Sequence, residues 1–235
     1  MNWQDTGVVL RYRIYSEKQL IVSVFTQERG RIDGMITRTK ACLPQPGDLV
    51  SVSVKARLEQ HLGTIKLETK QSHSSLQFSD STRVYALKTM LEMLGVLLPE
   101  NHPYINLWDE INKTMSSFYQ KEVAIRAYCV FEVSLIEELG FGLSLKTCAV
   151  TGKRENLTHV SPKTGCAVCF EIALPYLNKL LILPEFLINE ESAAKESDYL
   201  NSLMLTGHFL TNHIAHNRVL PLVRQELIQK LRLAT

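Results

Sequence analysis

The sequence predicts an α+β chain in two parts, a small β-barrel followed by an α-helical domain. Three observations carry that prediction. Apolar and polar residues alternate with a period of two from Gly7 to about Thr69. From Ser79 the period lengthens to 3.6. Between about 146 and 175 the helical pattern breaks into glycine- and proline-bearing turns around three cysteines. The expected parts are a barrel over 1–80 and a helical domain over 81–235, with the cysteine-containing insert inside the second.

Three strands are expected in the stretch GVVLRYRIYSEKQLIVSVFTQERGRIDGMITRTK, from Gly7 to Lys40. In the first, Val8, Leu10, Tyr12 and Ile14 share one face and Arg11 and Arg13 the other. The second, Leu20 to Thr26, is rich in β-branched residues, and Gln27 to Gly30 supplies its turn. In the third, Ile32, Gly34 and Ile36 alternate with Arg31, Asp33 and Met35. A turn cluster, Pro44 to Asp48, leads into LVSVSVKAR, with Val50, Val52 and Val54 inward. The fifth strand, Gly63 to Thr69, points Ile65 and Leu67 inward. Five short strands in about 70 residues make a small closed barrel, assigned as an OB-fold; periodicity does not separate it from an SH3-like barrel.

Ser79-Asp80-Ser81 offers capping side chains to a first helix, whose stripe is Val84, Leu87, Leu91 and Leu94 and whose stop lies near Gly95 to Pro99. A second helix, roughly Pro103 to Phe118, carries Leu107, Trp108, Ile111, Met115 and Phe118. A third, about Lys121 to Leu139, ends at Gly140, a residue suited to the left-handed position after a helix. Its stripe of Ala124, Ala127, Tyr128, Phe131 and Leu135 reads as core, with Cys129 a buried small hydrophobe. Glu137 and Glu138 read as a solvated face. Past Pro184 a helix carries Tyr199, Leu203, Phe209 and Leu210, and Pro221 opens a last one in the favourable first position.

Composition narrows the class. A hydrophobic content of 45% and a charged content of 21% suit a globular protein, and there is no apolar run of about 18 residues. The N-terminal MNWQDTG lacks a basic segment followed by an apolar one, so no secretory signal is expected. Five cysteines are too few for a secreted disulfide scaffold, which points to the cytoplasm. Residues 1–80 hold 11 Lys and Arg against 8 Asp and Glu; on charge alone, a solvated surface explains this as well as a nucleic-acid face. The basic residues on the presumed outer face and turns are Arg11, Arg13, Arg29, Arg31, Arg38 and Lys40.

Cys166-Ala-Val-Cys169 is a CxxC, and Cys148 precedes it. A four-cysteine zinc ribbon needs a second thiolate at 151, because each knuckle offers two ligands to one tetrahedral ion, but Thr151 stands there. The first reading is a degenerate metal module held by packing and hydrogen bonds. A surviving zinc site with His159 as fourth ligand is the second, and a redox CxxC the third. No cofactor is expected to be required.

The sequence contains no GxxxxGK[ST], HExxH or GxSxG motif. His208, His213 and His216 are spaced by five and three without acidic or cysteine partners nearby, so an enzyme is not expected.

These motifs together resemble the bacterial RecO family. The strand ending Arg11-Tyr12-Arg13, the segment Ser16-Glu17-Lys18-Gln19-Leu20 and the turn Phe25-Thr26-Gln27-Glu28-Arg29-Gly30 are similar to the family's opening. The helical end Glu138-Leu139-Gly140-Phe141, the cysteine insert and Pro221-Leu222-Val223-Arg224 follow in the family's order. Thr151 departs from the family's four cysteines. The resemblance implies an OB-fold, then a helical domain with a zinc-ribbon-like insert. It implies a cytoplasmic, nucleoid-associated recombination mediator that binds single- and double-stranded DNA and anneals complementary strands. It also implies loading of RecA onto strands coated with single-strand-binding protein, with RecR and the acidic tail of the coating protein as partners. Arg11, Arg13, Arg29, Arg31, Arg38 and Lys40 would then contact phosphates. Tyr12 and Phe25 are candidate stacking platforms, although parity assigns both to the core. Arg126 is the candidate seat for the acidic tail. The competing expectation is a scaffolding module whose barrel binds protein only.

Overall fold

The computed structural model describes residues 2–38, 43–55, 62–215 and 219–234. The chain divides into two compact units, Met1–Asn112 and Lys113–Thr235.

Five strands form the first unit's barrel: β1 (Asn2–Ile14), β2 (Gln19–Thr26), β3 (Gly30–Thr37), β4 (Leu49–Lys55) and β5 (Thr64–Gln71). They close in the order β1-β2-β3-β5-β4, with β4 returning to β1. β1 is shared, its first half paired with β4 and its second with β2. Following register partners around the wall leads from Asn2 through Lys55, Thr64, Met35 and Ile21 to Arg13, nearly the whole length of β1. That stagger is what closes so few strands into a filled barrel. The Greek-key closure through β3 and β5 is that of an OB-fold, which settles the choice between barrels.

Val9, Val22, Val24, Ile32, Val50, Val52 and Ile65 fill the interior, with Trp3, Tyr12 and Leu67 packed against them. Each fully buried aliphatic side chain of this kind contributes about 1.5–3 kcal/mol. Strands β3, β4 and β5 follow the alternation read from the sequence. β1 does not, because a bulge shifts its register between Val9 and Arg11. The extra residue switches the inward parity from Val9 to Tyr12, so that Val9 rather than Val8 and Leu10 faces the interior before it. Val8, Leu10 and Phe25 are buried outside the interior cluster.

Helix α1 (Ser81–Leu97) packs on β1 and β2. Its N-cap is Asp80, whose carboxylate accepts the Arg83 N–H at 3.2 Å. The unit boundary falls within α2 (Ile105–Ser117), whose Trp108 meets Phe25 at 6.0 Å between ring centroids.

In the second unit, α3 (Lys121–Glu138) ends where Gly140 takes φ +90°, the left-handed conformation that glycine adopts without steric cost. The insert holds β6 (Leu157–Val160) and β7 (Ala167–Cys169), and β8 (Leu181–Ile182), beyond its expected end, completes a three-stranded sheet with β6 central. A short helix, α4 (Phe170–Ala173), follows β7. Helix α5 (Glu196–Phe209) packs on α3 and on α6 (Leu222–Ala234). Pro221 lies immediately before α6, one position earlier than the first-turn placement expected. Among the described residues, no helix is long and apolar enough to cross a membrane.

Candidate nucleic-acid interface

The basic residues of the barrel divide into those committed to the fold and those open to solvent. Arg31 belongs to the first group. Its side chain is only 12% exposed; Nε donates to the Leu98 carbonyl at 2.9 Å, Nη1 to Asp33 at 3.0 Å and Nη2 to Glu100 at 3.1 Å. The Asn101 N–H returns a bond to the Arg31 carbonyl at 2.8 Å, so this arginine fastens β3 to the end of α1. Arg11 is half-buried and donates to the Gly95 carbonyl of α1 at 3.2 Å.

Arg13 is exposed and pairs with Asp33 at 2.8 Å. Its partner carboxylate is only 7% exposed and also holds Arg31, so Arg13, itself about half exposed, is partly committed to the fold. Arg29, in the β2–β3 turn, lies over the Trp3 ring at 4.6 Å. Arg38 is exposed, and its backbone N–H reaches the Lys18 carbonyl at 2.9 Å, which brings it beside the β1–β2 hairpin tip. Lys40 lies outside the described residues.

The tip itself was passed over as an interface in the sequence reading. Ile14 is 79% and Tyr15 61% exposed, beside the exposed Lys18. Ile14 shares the parity of Tyr12 and is exposed at the end of the strand. Neither candidate stacking platform is an exposed ring. Tyr12 packs on the barrel interior and donates its hydroxyl to the Pro44 carbonyl at 2.8 Å, and Phe25 is fully buried.

In the insert, Cys148 and Cys169 bring their sulfurs to 3.5 Å, and the Thr151 hydroxyl stands 3.8 Å from Cys169 Sγ. The Cys169 N–H donates to Cys148 Sγ at 3.4 Å. Burial opposes ionisation of the Cys148 thiol. The Thr151 hydroxyl and the backbone of Cys169, Thr151 and Val150 outweigh it and bring the thiol down to about 6. Cys166 bonds back to the Thr164 carbonyl of its own turn at 3.6 Å. His159 packs its Nδ1 against the Thr158 hydroxyl at 2.9 Å. Among the described residues, no three His, Cys, Asp or Glu side chains gather to hold a metal. Two thiols and a hydroxyl do not fit the donor set of a structural zinc, which takes four Cys or His ligands.

The N-terminal family model, Recombination protein O N terminal, matches residues 1–73, and Recombination protein O C terminal matches residues 79–220. The chain belongs to the Recombination protein O family. It is 40% identical to the DNA repair protein RecO of Bartonella bacilliformis, over 97% of this chain and 96% of the relative. The protein of the same name from Xanthobacter autotrophicus is 39% identical, over 94% and 93%. That of Sinorhizobium medicae is 34% identical, over 93% and 89%.

The C-terminal part of this family member holds the remaining candidates. Arg126 Nη1 donates to the Ser192 carbonyl at 2.8 Å, Nη2 reaches the carbonyls of Asn189 and Glu190, and the guanidinium lies 5.5 Å from the Phe186 ring centroid. It therefore organises the 189–192 loop. His213 stacks on Phe141 at 4.5 Å and on Phe209 at 5.7 Å, and His208 pairs its Nε2 with the Pro162 carbonyl at 3.2 Å, so both serve packing. His216 lies outside the described residues.

A buried ion pair was not singled out from the sequence. Glu132, on the inner stripe of α3, is fully buried and receives Arg224 of α6 through Nε and Nη2, both at 2.8 Å. The hydroxyls of Tyr128 and Thr206 donate to the same carboxylate. Burial alone raises the Glu132 carboxyl, but Arg224 and the two hydroxyls outweigh it and hold it below its ordinary value. Burial and the adjacent Glu132 charge push the Tyr128 phenol well up.

Proposed function

We propose that this chain is a DNA repair and homologous recombination mediator. In this reading it binds single- and double-stranded DNA, anneals complementary strands and helps load RecA onto strands coated with single-strand-binding protein, together with RecR. The observation that carries the proposal is the family match over both parts of the chain, with the barrel as its N-terminal part. An OB-fold barrel bearing exposed cations at one hairpin tip supports it, since sequence-independent affinity for nucleic acid comes from phosphate contacts. Of the expected set, Arg29 and Arg38 would meet phosphate in this reading, with Arg13 half exposed beside them, while the bonds of Arg31 and Arg11 to the end of α1 support a structural part for those two. The reading assigns no catalytic step, no required metal and a place among cytoplasmic nucleoid proteins.

The test is DNA binding by fluorescence anisotropy across roughly 50 to 200 mM NaCl, followed by an annealing assay and RecA loading with RecR on coated strands. Affinity that falls steeply with salt, whatever the sequence, is expected, because each phosphate contact releases counterions. Absence of binding at about 50 mM salt would refute the mediator reading in favour of a protein-only scaffold.

A further inference from the structure

Two buried thiols of the insert face each other, and backbone bonds hold both in place. The turn at 148–153 is closed by the Cys148 N–H donating to the Lys153 carbonyl at 2.8 Å and the Gly152 N–H to the Cys148 carbonyl at 2.9 Å. Gly152 takes φ +71° there. The chain leading into this turn runs beside β7. The Ala167 N–H donates to the Ser144 carbonyl at 2.8 Å, and the Ala149 N–H to the Ala167 carbonyl at 2.9 Å. At the start of α4, the Phe170 N–H donates to the Asn156 carbonyl at 2.9 Å. Cys148 and Cys169, 21 residues apart, are thereby set with their sulfurs at 3.5 Å. A disulfide places them at about 2.05 Å, so bonding asks the two sulfurs to approach by about 1.5 Å, a side-chain movement.

We infer that Cys148 and Cys169 are a redox pair that a hydroperoxide closes into a disulfide, fastening the 148–153 turn to the junction of β7 and α4. The inference does not depend on the DNA-binding reading. Four observations support it. The CxxC is not closed on itself: Cys166 directs its sulfur to the Thr164 carbonyl at 3.6 Å, while Cys169 meets Cys148. The two partners differ in character. The Cys169 N–H donates to Cys148 Sγ at 3.4 Å, a bond that favours the thiolate, the form that attacks an oxidant. The Cys148 thiol accordingly lies at about 6, whereas burial and the neighbouring Cys148 push the Cys169 thiol up, so Cys169 keeps its proton. Cys148 also sits beside solvent, since residues 149–153 are all exposed. Cys129, by contrast, is fully buried in α3, and burial pushes its thiol up. Finally, Thr151 removes the ligand that a metal would need to join the two turns of the insert, and a disulfide joins those same turns.

The chemistry balances. The Cys148 thiolate attacks one peroxide oxygen, the O–O bond breaks, and hydroxide departs to be protonated by solvent, leaving a sulfenic acid on Cys148. The Cys169 sulfur then attacks Cys148 Sγ. The S–S bond forms, the S–O bond breaks, and the leaving hydroxide takes the Cys169 proton as water. The two sulfurs give up one electron each, and the peroxide becomes two waters.

The experiment exposes reduced full-length protein to hydrogen peroxide at neutral pH, then blocks the remaining thiols in denaturant. Two of the five thiols should be lost, reversibly with dithiothreitol, at least about tenfold faster than Cys129. Trypsin places Cys148 in peptide 147–153 and both Cys166 and Cys169 in peptide 164–179. The two peptides should appear linked, with fragmentation assigning the bond to Cys169. Wild type alone supplies that readout, whatever the variants do. Cys148→Ser and Cys169→Ser should abolish the link, and Cys166→Ser should retain it. In the native state, trypsin should cut after Lys153 at least about fivefold more slowly in the oxidised chain than in the reduced one, because the bond opposes local opening of the turn. Loss of two thiols within peptide 164–179 would assign the redox chemistry to the CxxC and overturn the pair. Unchanged thiols, or a zinc ion on the reduced chain that blocks their oxidation, would also overturn it. Equal cleavage after Lys153 in both forms would overturn the fastening of the turn.

Discussion

Removing one half of the Glu132–Arg224 pair should be among the costliest single changes in the second unit. The carboxylate is fully buried and has four donors: Nε and Nη2 of Arg224 at 2.8 Å each, and the hydroxyls of Tyr128 and Thr206. Arg224→Met removes the countercharge and leaves two neutral hydroxyls to solvate an anion with no access to water. Breaking a buried pair in this way costs about 3–5 kcal/mol. For a chain of this length that is a fall in melting temperature of roughly 6–20 °C. The structure makes room for the cation: a Cβ on Gly207 would sit 2.8 Å from Arg224 Nη1, so Gly207→Ala should disturb the same network. The double variant Glu132→Leu/Arg224→Met exchanges the pair for apolar groups and should recover most of the loss. Acid should act through the same carboxyl. Its folded value is depressed, so its contribution is complete above the unfolded carboxylate range near 4.3 and is lost as pH falls through the lower folded value. Glu132→Gln should remove that part of the acid transition. The assay is urea and thermal unfolding by far-UV circular dichroism. A loss below about 1 kcal/mol for Arg224→Met would refute the reasoning, because the pair would then be solvated rather than buried.

Three other changes separate structural from functional residues. Gly30→Ala should cost at least about 2 kcal/mol, since Gly30 has φ +69° and its Cβ would lie 1.7 Å from the His102 carbonyl oxygen. Tryptophan fluorescence during urea unfolding reports it, because Trp3 and Trp108 both belong to the first unit. Arg31→Ala should destabilise that unit by about 1–3 kcal/mol and leave the DNA salt slope unmoved. Arg38→Ala should do the reverse, with stability held within about 0.5 kcal/mol and the single-strand slope reduced by about 0.7. Purified protein should carry no stoichiometric zinc, and a chelator should leave its melting curve in place; one zinc per chain by elemental analysis would contradict the donor-set argument.

What the sequence made legible was whatever repeats locally. The valines of β4, the alternation of β3, the Asp80 cap and the glycine after α3 all express a period or a cap within a few residues, and each stands where the pattern puts it. What stayed hidden depends on partners distant in sequence. The β1 bulge adds a residue against β2 that no one-strand pattern reveals, and it turns Val9 inward in place of Val8 and Leu10. Glu132 sits in a stripe that is otherwise apolar, and only Arg224, 92 residues on, explains it.

The arginines make the same point about function. Arg31 and Arg38 are indistinguishable in composition and stand at opposite ends of one strand. Three acceptors on Leu98, Asp33 and Glu100 claim the first, and solvent surrounds the second. A guanidinium whose donors are already satisfied gains little by meeting a phosphate, because it must first give up bonds of similar strength. The cations fit to hold a polymer backbone are therefore those whose present partners are water or exposed carboxylates. On the proposed reading these are Lys18 and Arg38 beside the hairpin tip, whereas Arg13 is tied to the nearly buried carboxylate of Asp33.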